Sequence, residues 1–193
     1  MKTLIEKHYP HQQIYDYYSD IYIADYTEIT KNDTIRRGVE ISTEEPGIAS
    51  FYIRNGKSIP FSAVIFDNKS FIDETTGKVL SQCESICFSA AEFIKGPWAL
   101  FLELKYCNLH SKFQKVNMED AKNQLINTYK YYRQKGIINH KQQCYLIVSF
   151  PFFTTPFPNF TSTQYDVKRM KLDKVIFRGV NELKIKNEFK LEV

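Results

Sequence analysis

The chain has 193 residues, 43% hydrophobic and 15% aromatic, which is long enough to bury one sizeable core and too apolar for a disordered polymer. No apolar run is long enough to cross a bilayer, and "MKTLIEKHYPHQQIYDYYSD" lacks the apolar core of a secretory signal, so the expectation is a cytoplasmic protein with no membrane partner. The formal net charge of +4 is uneven: residues 1–75 hold 8 Lys and Arg against 12 Asp and Glu, residues 76–167 hold 10 against 6, and residues 168–193 hold 8 against 4. A basic C-terminal side suits a polyanion.

Residues 9–26 are crowded with tyrosine: Tyr9, Tyr15, Tyr17, Tyr18, Tyr22 and Tyr26. Ile14, Tyr18, Ile21 and Tyr22 share a helical face, so the spacing predicts a short helix. The tyrosines read first as packing residues with a wet hydroxyl, and second as platforms for bases.

From about residue 48 the pattern turns to strands. "IASFYIR" (48–54) and "PFSAVIF" (60–66) are β-rich and separated by the turn signal "NGKS". "VLSQCESICFS" (79–89) follows the turn "DETTGK". Next comes "GPWALFLELKYC" (96–107), then a helix predicted over 118–135. Asn117 is its expected N-cap, acids fill its first turn, Lys130, Arg133 and Lys135 its last, and Gly136 is its stop. Ala121, Leu125, Thr128, Tyr129 and Tyr132 make its apolar face. "QCYLIVSF" (143–150) reads as a buried strand. "PFFTTPFPNFTSTQY" (151–165) reads as a loop, pinned to the core by Phe152, Phe153, Phe157 and Phe160, because its prolines forbid a continuous ladder. Residues 174–193 read as a closing pair of strands.

Cys83, Cys87, Cys107 and Cys144 are expected to be small buried hydrophobes in a reducing compartment. Cys83 and Cys87 lie four apart with no matching second pair, which argues against a zinc site. A thiol enzyme on Cys83 or Cys107 would need a histidine, and His8, His11, His110 and His140 include none placed by motif.

The stretch at 97–106 carries the functional argument. Trp98, Leu100, Leu102, Leu104 and Tyr106 lie on one face of such a strand; Ala99, Phe101, Glu103 and Lys105 lie on the other. The second face is apolar until its last two members. A central strand covered on both faces, opening at its end into a cleft, has this pattern. The string acid-x-Lys alone means little, since it occurs six times; the second "ELK", at Glu182–Lys184, sits in a solvated strand, and Asp120–Lys122 at a helix start. Glu84 enters a β-rich segment nineteen positions before Glu103. If the two strands are neighbours, the carboxylates converge, and their repulsion is relieved by a divalent cation. Lys105, on the Glu103 face, reaches the same point, where it can orient water and stabilise charge on a phosphate.

"CES" at 83–85, "LFLELKY" at 100–106 and a following helix with Gln124 resemble the core of the PD-(D/E)xK nuclease superfamily over roughly residues 58–150. The resemblance implies an α/β fold of the mixed α+β kind, with a central mixed sheet flanked by helices. It implies one domain over 1–193, with 1–47 an N-terminal elaboration and 58–150 the core. It implies Mg²⁺- or Mn²⁺-dependent phosphodiester hydrolysis, with DNA ahead of RNA as substrate, in restriction, defence or repair. Glu84, Glu103 and the Leu104 carbonyl would be metal ligands, Lys105 the catalytic lysine and Gln124 a supporting residue. Lys168, Arg169, Lys171 and Lys174 are the candidates for contacting nucleic acid. A homodimer or a partner protein would fit such a nuclease. Members usually carry Asp where this chain has Glu84. That departure keeps open a nuclease-fold subunit that binds or assembles without cutting. Glu40 and Glu44 are candidates for the acid that many members carry on the first core helix, and Asp67 reads as either a further ligand or a turn residue.

Overall fold

The computed structural model describes residues 1–66, 71–73, 75–90, 97–107, 111–140, 142–153 and 174–193, and of residues 111–116 the backbone alone. The described elements are helix α1 (Lys2–His8), strands β1 (Ile14–Tyr17), β2 (Ile21–Asp25), β3 (Val39–Ser42), β4 (Phe51–Arg54), β5 (Phe61–Ile65), β6 (Ser85–Ser89) and β7 (Ala99–Leu104), helix α2 (Ser111–Gln134), and strands β8 (Cys144–Ser149), β9 (Val175–Gly179), β10 (Glu182–Asn187) and β11 (Lys190–Glu192). The fold is thus mixed α/β, as expected.

The strands form two sheets. The first runs β1-β5-β6-β7-β8-β9 and the second β11-β10-β4-β2-β3. In the first sheet β5, β6 and β7 form an antiparallel meander, α2 crosses over, and β8 and β9 add in parallel. Every residue of β7 and β8 is buried, because both faces of this sheet are covered. One face packs Val64, Ile86, Phe101, Leu146 and Phe177 against Ala121, Leu125 and Tyr132 of α2 and Ile5 of α1. The other packs Ala63, Leu100, Leu102 and Ile147 against Ile21, Ile23, Phe51, Ile53, Leu183 and Ile185 of the second sheet. The molecule is therefore layered helix, sheet, sheet.

Several sequence expectations are corrected. The helix expected within 9–26 is absent; β1 and β2 occupy that stretch, and the helix lies earlier, at 2–8. The isoleucines and tyrosines there fit a period of two as well as 3.6, and pairing decides: β1 finds β5, and β2 finds β3 and β4. Tyr9 does pack in the core, stacked on Tyr132 and edge-on to Phe71. The "NGKS" turn joins no hairpin, because β4 and β5 belong to different sheets. Asn55 organises that crossover: its side chain accepts from Ile59 N–H and donates to the Ile59 carbonyl. Helix α2 begins at Ser111, so Asn117 is an interior residue and no cap, and Asp120–Lys122 lies mid-helix. Its end is as expected, with Gly136 at φ +69° and Ile137 N–H returning to the Tyr132 carbonyl. The C-terminal stretch supplies three strands, not two: β9 extends the first sheet, while β10 and β11 extend the second. Phe153 is buried, but Phe152 is largely exposed; Phe157, Phe160 and Asp67 lie outside the described residues. All four cysteines are free; Cys83, Cys87 and Cys144 are buried and Cys107 partly so.

Candidate functional site

The β6–β7 ladder pairs Ser85 with Leu102 and Ile86 with Phe101. Ser85–Leu102 is the last pair: Glu84 precedes it on one strand and Glu103 follows it on the other. Glu84 N–H still donates to the Leu102 carbonyl at 3.2 Å. Beyond it the ladder opens. Leu104 N–H donates instead to Glu84 Oε2 at 3.0 Å. A strand residue turns its N–H and C=O to the same side, so the Leu104 carbonyl also points toward Glu84. On the other side β7 stays tied to β8, with Lys105 N–H donating to the Ser149 carbonyl at 2.8 Å. The sheet therefore splits on one side of β7 only, and the split is where the acids sit.

Glu103 is 1% exposed. Its Oε1 accepts from Lys105 Nζ at 2.6 Å, while its Oε2 is buried with no hydrogen-bond partner among the described residues. Lys105 Nζ also donates to Gln124 Oε1 at 2.9 Å, and Gln124 Nε2 donates to the Gln82 carbonyl at 3.1 Å. Gln124 thus bridges the lysine to the segment that leads into Glu84. Glu84 keeps some exposed surface, but its carboxyl is deep among protein atoms. Burial, then the neighbouring Glu103 charge, hold it well above the usual carboxylate range. Burial pushes Glu103 up to about 7, against the pull of Lys105. Glu84, Glu103, the Leu104 backbone, Lys105 and Gln124 are therefore brought together as the sequence predicts.

Two site residues carry no signal in the sequence. Thr128 reads there only as part of an apolar helix face. Its hydroxyl accepts from Cys83 N–H at 2.8 Å and donates to the Gln124 carbonyl at 2.9 Å, tying α2 to the residue before Glu84. Thr128→Val keeps the shape and orphans the buried Cys83 N–H. The expected cost is about 1–3 kcal/mol, read by urea unfolding at unchanged slope. The second is Asp25, at the end of β2, whose N–H donates to the hydroxyl of Tyr106, the residue after Lys105, at 3.2 Å.

Other candidates lie elsewhere. Glu40 sits in β3, paired with Arg37 at 2.5 Å, and Glu44 is exposed. The acid-bearing core helix expected near them is absent. Lys174 opens β9 beside Cys144, at the far end of the sheet from Lys105. Lys168, Arg169 and Lys171 lie outside the described residues. No helix among the described residues is long and apolar enough to cross a membrane.

Hard oxygen donors at the open end of a buried sheet suit Mg²⁺ or Mn²⁺ better than a softer metal. The orphaned Glu103 Oε2 is the observation that fits such an ion. Among the described residues, no three His, Cys, Asp or Glu side chains lie close enough to hold one by themselves. A backbone carbonyl and water would complete its shell. Comparisons with family models, with curated proteins and with solved structures find no match.

Proposed function

We propose that the chain is a divalent-cation-dependent phosphodiesterase acting on nucleic acid, with DNA ahead of RNA as substrate. The observation that carries the reading is the Glu103–Lys105 pair: a buried carboxylate with one oxygen on a lysine and the other without a donor among the described residues, at the end of the strand where the Glu84 carboxylate accepts from Leu104 N–H. Support comes also from the path of the chain. An antiparallel meander, a crossover helix and a parallel strand carry Glu84, Glu103, Lys105 and Gln124 in the order the PD-(D/E)xK resemblance requires.

In this reading Glu84, Glu103 and the Leu104 carbonyl hold Mg²⁺ or Mn²⁺. The ion would supply Lewis-acid polarisation of the phosphate and a lowered pKa for bound water. Lys105, anchored by Glu103 and Gln124, presents an ammonium group that orients water and stabilises charge developing on the phosphoryl oxygens. Gln124 fixes the lysine's rotamer. Thr128 and Gln124 together hold the 82–84 segment against α2, which sets where Glu84 points.

The test is incubation of purified protein with supercoiled plasmid, linear duplex, single-stranded DNA and RNA, in Mg²⁺, Mn²⁺ or EDTA. Cleavage in metal and none in EDTA is the expected result. No cleavage under any metal, with Mn²⁺ binding retained, would instead assign the chain as a non-cutting binding subunit.

A further inference from the structure

We propose that Leu104 N–H and Lys105 Nζ each hold back one oxygen of a glutamate, so that Glu84 and Glu103 give the ion a single oxygen each and the centre selects Mg²⁺ over Ca²⁺. The inference rests on the cation-site reading above and adds to it which ligand atoms are free and which ion they suit.

A carboxylate has two oxygens to offer, and in both glutamates one is already committed to the protein. Glu84 Oε2 accepts from Leu104 N–H at 3.0 Å. Ser85–Leu102 is the last pair of the β6–β7 ladder, so this side-chain oxygen stands in for the ladder acceptor that Leu104 lacks. Pulling it onto an ion would orphan a backbone donor in a residue only 2% exposed.

Glu103 Oε1 accepts from Lys105 Nζ at 2.6 Å. A divalent cation on that same oxygen would share it with an ammonium, like charge against like charge, around a carboxylate 1% exposed and little screened by water. Lys105 is also bonded to Gln124 Oε1 at 2.9 Å, which opposes its swinging aside. The oxygen left for the ion is Oε2, buried and with no hydrogen-bond partner among the described residues.

The protein's share of the shell is therefore one oxygen from Glu84, one from Glu103 and the Leu104 carbonyl. Among the described residues no group of three His, Cys, Asp or Glu side chains could hold a metal ion, so no further carboxylate makes up the number. Ca²⁺ takes roughly 6–8 oxygens at about 2.3–2.6 Å and often draws on both oxygens of a carboxylate. Mg²⁺ is smaller, keeps several waters, and is held by one or two carboxylates together with substrate phosphate. The donor set matches Mg²⁺ and leaves Ca²⁺ short of ligands.

The test is calorimetric titration of the metal-free protein with Mg²⁺ and with Ca²⁺, for wild type, Lys105→Met and Glu103→Gln, with melting temperatures in each cation as a second readout. Wild type should bind Mg²⁺ at least as tightly as Ca²⁺. In Lys105→Met the ammonium is gone and both Glu103 oxygens are open to the ion. Both affinities should rise with the lost positive charge, but that for Ca²⁺ by about 10–100-fold more, the scale on which a ligand's own partner tunes metal affinity. Glu103→Gln should lose measurable binding of either ion. Tighter binding of Ca²⁺ than of Mg²⁺ by wild type, or an equal rise of the two affinities in Lys105→Met, would overturn the one-oxygen proposal and leave the cation site standing. Binding of neither ion by wild type, or wild-type binding of both by Glu103→Gln, would overturn the cation site and the proposal with it. The wild-type comparison needs no variant, so it decides the matter even where Lys105→Met does not fold.

Discussion

Glu103→Gln should reduce cation-dependent cleavage by at least about 10³-fold, and Lys105→Ala by about 10²–10³-fold. The two losses differ in kind. Glu103 is expected to act through the ion, so its variant should also lose the Mn²⁺-induced rise in melting temperature, which measures cation binding to the folded state. Lys105 is expected to act on the phosphate and the attacking water. Its variant should keep cation binding, and the fall should appear in kcat more than in KM. Removing Lys105 leaves Glu103 Oε1 without its 2.6 Å donor, so Lys105→Ala should also be less stable without metal than wild type. Lys105→Gln restores a donor and should recover that stability without recovering activity. Single-turnover cleavage, together with melting curves with and without Mn²⁺, separates these effects. Wild-type cleavage by both variants would place the chemistry elsewhere on the molecule.

The second large effect is an inverted pH dependence of stability without metal. Glu103 is pushed up to about 7 from an ordinary 4.5, and Glu84 is raised as well, both chiefly by burial. A carboxyl raised on folding binds its proton more tightly in the native state than in the unfolded one. Its ionisation therefore penalises the native state fully above the raised value, and the penalty fades as pH falls toward 4.5. The metal-free protein should gain stability on acidification from pH 8 to about 5, where most proteins gain nothing. Glu84→Gln removes one of the two charges, and its amide oxygen can still accept from Leu104 N–H. At pH 8 without metal the variant should be more stable by at least about 1 kcal/mol, or roughly 2–4 °C in Tm for a chain of this size. The gain should vanish below about pH 5. With Mn²⁺ the order should reverse, because wild type alone keeps both ligands. Thermal melts at pH 5, 6.5 and 8, with EDTA or Mn²⁺, measure this. A Glu84→Gln variant no more stable than wild type at pH 8 would mean that the Glu84 charge is not uncompensated.

The centre itself is largely legible in the amino-acid sequence. Strand 97–106 announces its burial by being apolar on both faces, and announces an opening by ending in Glu103 and Lys105. The α2 face Ala121, Leu125, Thr128, Tyr129 and Tyr132 is a local repeat, and Gly136 is a local stop; the fold contains both. Such features depend on backbone period and on single-residue conformational preference, which act over a few residues.

Partnership is what the sequence does not carry. Ile14, Tyr18, Ile21 and Tyr22 satisfy a helical period, while Ile21, Ile23 and Asp25 satisfy a strand period. Only pairing with β3, β4 and β5 decides between them. The start of α2 lies earlier than the sequence marks it, because the 111–117 stretch has no apolar repeat. The separation of β4 from β5 turns on Asn55 bonding to Ile59, not on the turn signal itself. Asp25 does not stand out among 22 acids, since its face is defined only once β2 is a strand and its destination only once the second sheet lies on the first. The sequence by itself determined the mixed α/β class and the buried strand with its charged end, and it singled out Glu84, Glu103 and Lys105 as candidates, with Gln124 added by the resemblance. The tertiary structure alone decided that β6 and β7 are neighbours, so that the Glu84 carboxylate meets Leu104 N–H, that Thr128 holds the segment before Glu84, and that Tyr106 ties the end of β2 to β7. Those facts rest on contacts between residues far apart in the chain, and no local period encodes which distant strand a given strand will meet.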